Sequence, residues 1–121
     1  MEKSYNTPHG LMECHENYLV FHLASDGITE KAAKEILSFA VDHYRQKKYV
    51  FIASRKFPSP ISPAAYKAIN PKYMVGLAIV SDSDAVKDEA YNEQGLFTGA
   101  FSYFRTVAEA EDWANTVVRK S

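Results

Sequence analysis

From Tyr18 to Ala24 only His22 interrupts a run of apolar and aromatic residues. Read as a strand, Leu19, Phe21 and Leu23 point one way and Tyr18, Val20 and His22 the other. Both sets are largely apolar, which suits a strand covered on both faces. Leu11 to Cys14 forms a shorter run before it, and Glu16-Asn17 is the turn that joins the two as a hairpin. The spacing then changes: Ala33, Ile36, Leu37, Ala40, Val41 and Tyr44 recur with helical period, so a helix over this stretch faces a sheet. Thr29 is placed to cap it, Ile28 to staple against Ala33, and Arg45, Lys47 and Lys48 to close it with positive charge.

Tyr49 to Ala53 is a short inner strand. Phe57-Pro58-Ser59-Pro60-Ile61-Ser62-Pro63 follows, and its prolines enforce an extended loop, since each restricts itself and its predecessor. Ser62-Pro63 starts a second, short helix: serine caps, and proline at the first helical position loses no needed hydrogen bond. That helix runs through Ile69 and stops before Asn70-Pro71. Met74 to Val80 is a strand broken only by Gly76. Ser81 to Asp84 caps a third helix over Ala85 to Glu93, ended by Gly95. Ser102 to Phe104 is a short last strand. Thr106 and Glu109 form a capping box for a final helix that buries Ala110, Trp113, Ala114 and Val117. The order is β-β-α-β-α-β-α-β-α: an α/β domain with a mostly parallel five-stranded sheet, four helices and an antiparallel member from the opening hairpin.

The chain has 121 residues, 46% hydrophobic and 13% aromatic, enough for one core. It therefore reads as a single domain over 1–121, with 1–9 a polar, loosely ordered N-terminal segment. Net charge is −1 and Lys and Arg are scattered, unlike the concentrated positive charge of a nucleic-acid binder. Cys14 is the only cysteine, which excludes an intrachain disulfide and a thiolate metal cage. The polar N-terminus and the short apolar runs lead us to expect a cytoplasmic protein without a membrane span.

Several stretches resemble the STAS family, named for sulfate transporters and anti-sigma-factor antagonists, and the related SpoIIAA-like proteins. Tyr73 to Val80 is similar to that family's fourth strand. Phe104-Arg-Thr-Val-Ala-Glu-Ala-Glu-Asp-Trp113 resembles the ending Phe-x-[Thr/Ser]-x-x-Glu-Ala-x-x-Trp of small free-standing bacterial members. Ile28-Thr29 and Ile61-Ser62 are similar at the starts of the first two helices. The resemblance spans about residues 10 to 118 and implies a STAS/SpoIIAA-like fold. In the family's phosphorylated antagonists a serine at the start of the second helix, within an Asp-Ser-Ser-Gly-like motif, accepts phosphate. Ser62 stands at that place, but the preceding acidic residue and the following glycine are missing from Pro60-Ile-Ser-Pro-Ala64.

Ser62 is thus the phospho-acceptor candidate, and also a simple helix cap. Ser59 offers a weaker version of the same idea. His9, His15, His22 and His43 lack the spacing of metal ligands, and Asp82 and Asp84 are explained by helix capping as readily as by a cation. The five glycines never cluster as a phosphate loop requires. Aromatic residues are in surplus: Phe57, Tyr66, Tyr91, Phe97, Phe101 and Tyr103 fall in or beside loops and helix faces. We expect a non-enzymatic regulatory module that binds a protein partner, or itself as a homodimer, through the second helix and its loop. Phe57, Ser59 and Tyr66 are the candidate contact residues. No cofactor, metal, nucleic acid or membrane is expected. The alternative is a carrier of a small apolar ligand. A cavity opening near Phe97 to Phe104 would mark the carrier, and a solid core with an aromatic patch around Tyr66 would mark the interaction module.

Overall fold

A computed structural model describes residues 2–24, 27–56 and 61–121. Among them lie strands β1 (Lys3–Thr7), β2 (Gly10–Cys14), β3 (Tyr18–Leu23), β4 (Tyr49–Ser54), β5 (Met74–Val80) and β6 (Ala100–Phe104). The α-helices are α1 (Glu30–Tyr44), α2 (Pro63–Lys67), α3 (Asp84–Glu93) and α4 (Val107–Lys120), with a 3-10 turn over Gln94–Leu96. The strands lie side by side in chain order, β1-β2-β3-β4-β5-β6. β1, β2 and β3 form an antiparallel meander, while β3 to β6 run parallel.

The sheet has six strands rather than the five expected, because the N-terminal segment is ordered as β1 instead of loose. Its sequence, KSYNT, carries one large apolar side chain, so it shows no hydrophobic run. What fixes it is the turn. Thr7 Oγ1 accepts from the backbone N–H groups of His9 and Gly10, each at 3.1 Å, and donates to the Gly10 carbonyl at 2.8 Å. Gly10 has φ +152, and a Cβ there would stand 2.1 Å from the His22 carbonyl oxygen, so only glycine fits. Tyr5 then packs against Phe39 and His43 of α1.

Alternation along the strands builds two cores. Met12, Cys14, Leu19, Phe21, Phe51, Leu77 and Ile79 face α1, α2 and α3, whose Ile36, Ala40 and Val86 close that side. Val20, Val50, Ile52, Ala78 and Val80 face Ala110 and Ala114 of α4. So the three crossover helices share one face, and α4 covers the other alone. Val41, expected on the inward stripe of α1, is 61% exposed. Ala33, Ile36, Ala40 and Tyr44 fill the sheet-facing arc, and Val41 is turned out of it by the helical period.

The caps are local. Thr29 accepts from Ala32 N, and Thr106 from Glu109 N at 3.2 Å. α3 departs from expectation: its N-cap Ser83 makes no side-chain capping bond, and Asp84 is already helical. Ser81 Oγ accepts from Ser83 N at 3.1 Å, and Asp84 lies 3.7 Å from Arg105.

Candidate functional site

The parallel strands end on one edge of the sheet, where the chain leaves β3 for α1 and β4 for α2. α2 has only five residues, a rise of about 7.5 Å. It cannot roof strands that run roughly 20 Å. The sequence makes it short: Pro63 opens it, and Asn70-Pro71 lies just beyond, with Asn70 Oδ1 accepting from Lys72 N at 3.1 Å. Beneath the gap is an apolar cavity of about 80 Å³. Phe21, Phe51, Leu77 and Ile79 of the sheet form its floor, Ala33, Ile36 and Leu37 of α1 one wall, and Ala65, Tyr66 and Ile69 the other. Ile28 and Ile61 pair as a parallel bridge beside it, with Ser62 N donating to the Ile28 carbonyl at 2.9 Å.

The cavity ends on charge. Arg55, just past β4, is 2% exposed and its backbone N–H extends the ladder to the Val80 carbonyl at 2.9 Å. Its guanidinium donates to Glu93 Oε1 at 3.0 Å and Oε2 at 3.3 Å, and to Glu89 Oε2 at 2.7 Å. Glu89 and Glu93 are four residues apart, so α3 presents both carboxylates on one face. Tyr66 Oη donates to Glu93 Oε1 at 2.5 Å. Burial, then the bond to Glu93 and its charge, push the Tyr66 phenol well above the usual tyrosine range, against the opposing pull of Arg55. The phenol therefore remains a donor. The Glu93 carboxylate accepts these three bonds at the polar end of the cavity lining.

These positions differ from those expected. Tyr66, half-buried, forms a wall of the cavity. The cavity opens beside α1 and α2, not near Phe97 to Phe104, where Phe97 is core. Phe57 and Ser59 lie outside the described residues. Ser62 sits at the α2 N-terminus, where its Oγ accepts from Ala64 N at 3.2 Å. The histidines have separate partners: His9 with Glu35 at 3.3 Å, His22 with Glu13 at 2.6 Å, His43 with the Tyr5 hydroxyl at 3.1 Å, and His15 stacked on Tyr18. Among the described residues no group of three or more His, Cys, Asp or Glu is placed to hold a metal ion. None of their helices is long and apolar enough to cross a membrane. Arg55, Glu89 and Glu93 escaped sequence reasoning. The i, i+4 carboxylates were readable in α3, but nothing linked them to an arginine 34 residues earlier.

No family model matches the sequence, and no curated protein matches it significantly. A solved structure does: an uncharacterized protein from the DUF3478 family with a SpoIIAA-like fold, from Shewanella loihica PV-4. The TM-score is 0.58 at 15% identity, covering 94% of this chain and 92% of that one. The fold of this chain is thus SpoIIAA-like, as the resemblance implied.

Proposed function

We propose that the protein binds a small, mostly apolar molecule that bears one hydroxyl, without transforming it. The observation that carries this reading is the hydrocarbon-lined cavity ending on the Glu93 carboxylate. Apolar concave sites with a few converging polar groups are the usual form of small-molecule sites. The volume sets the scale: about 80 Å³ is roughly half that of an engineered apolar cavity that holds benzene. The ligand is accordingly smaller than a benzene ring, or leaves part of itself outside the mouth. Its alkyl part contacts Ile36, Phe51 and Leu77, and its hydroxyl donates to Glu93. A carboxylate-bearing ligand would set a third negative charge beside Glu93 and Glu89. The protein-docking reading of α2 gains nothing from Tyr66, which forms a wall of the cavity.

Titration of the isotope-labelled protein with 1-pentanol, followed by NMR, tests this. Amide shifts should saturate at Ile36, Leu77 and Ala65, and pentanoate should shift them at least ~10-fold more weakly. Ala65→Leu fills the cavity and should abolish the effect while the fold persists. Unmoved resonances along the cavity, or equal response to pentanoate, would overturn the proposal.

A further inference from the structure

The two edges of the sheet differ in chemistry. β1 is edged by polar side chains, the usual protection against strand addition. β6, with sequence AFSYF, carries three aromatics, and no charged residue occurs from Gly95 to Phe104. Among the described residues β6 pairs with β5 alone. The direction of its backbone follows from one bond: the Phe104 carbonyl accepts from Ser81 N at 3.1 Å, toward the β5 side. Successive residues of a strand direct their polar backbone groups to alternate sides. Ala100, Ser102 and Phe104 therefore face β5, and the N–H and C=O groups of Phe101 and Tyr103 face outward.

We infer that β6 is a homodimerisation edge, pairing antiparallel with β6 of a second copy about a two-fold axis at Ser102. In this register Phe101 of each copy lies opposite Tyr103 of the other. Each such pair exchanges both N–H···O bonds, so all four outward groups per copy are satisfied. The side chains agree on both faces. On the helix-rich face the opposed residues are aromatic pairs, a favourable cross-strand combination. On the α4 face Ser102 meets Ser102 and Phe104 meets Ala100, small at the axis and large against small beside it. Arg105 falls opposite Gly99, so no like charges meet. A self-complementary edge of this kind suits a second copy of the chain, since the same patch serves on both partners.

Sedimentation of the full chain should give twice the monomer mass of 13.6 kDa at high concentration. Amide exchange at Phe101 and Tyr103 should slow roughly tenfold from dilute to concentrated protein. Ser102→Lys, which brings two like charges together at the axis, should remain monomeric with an unchanged circular dichroism spectrum. Ala100→Asp, at an exposed position, should do the same if Ser102→Lys does not fold. A wild-type monomer at every concentration, or a dimer that survives the folded variants, would overturn the inference.

Discussion

Arg55 and Cys14 show how single buried groups bear on stability. Arg55 is buried and holds two carboxylates, Glu93 buried with it and Glu89 partly exposed. Arg55→Ala strands Glu93 without its cation and should cost about 3–5 kcal/mol, the range for breaking a buried pair. Tyr66→Phe removes one donor to a charged acceptor and should cost about 1.5–3 kcal/mol; urea midpoints separate the two. Cys14 is 1% exposed, and burial pushes its thiol from 9.0 up to about 11, with a bond to Tyr44 pulling the other way. A raised value in the folded state means the unfolded chain gives up this proton first. The contribution is whole below pH 9 and is lost as pH rises toward 11. Across that window wild type should lose more stability than Cys14→Ala; parallel curves would refute the assignment. The strand that carries Cys14 was readable from the sequence, whereas its proximity to Tyr44, 30 residues on, was not.

At the scale of elements, α4 depends on a glycine. A Cβ at Gly76 would lie 3.0 Å from Val50, 3.2 Å from Val117 and 3.4 Å from Trp113, so its absence lets the helix settle on β5. Gly76→Ala should destabilise by about 1–3 kcal/mol through overpacking. Trp113 is half-buried and packs on Phe104 with ring centroids 5.6 Å apart. Trp113→Ala should cost about 2–3 kcal/mol, below the ~3–5 of a fully buried ring. Denaturant melts of both variants check these values. Capped helices and apolar strands were legible because their signals are local: Thr29, Ser62 and Thr106 cap as their sequences indicate. β1 was not, because its place depends on a turn at Thr7 to Gly10 and on pairing with β2. Ser62→Ala, which removes the α2 cap, should cost about 1 kcal/mol.

Across the whole molecule, the sheet order follows the chain order and three crossover helices crowd one face. The alternation of strands and helices made this class of fold legible. The cavity was not, since it arises where a short helix fails to cover long strands, and sequence patterns report what is apolar rather than what is left unfilled. Its ionic end joins β4, α2 and α3, brought together only by the fold. A crystal structure of the protein with 1-pentanol would show binding at this place. The alkyl chain should lie among Ile36, Phe51 and Leu77, with the hydroxyl in hydrogen-bonding distance of the Glu93 carboxylate. A cavity closed by its own side chains, or the alcohol bound only elsewhere, would contradict the proposal.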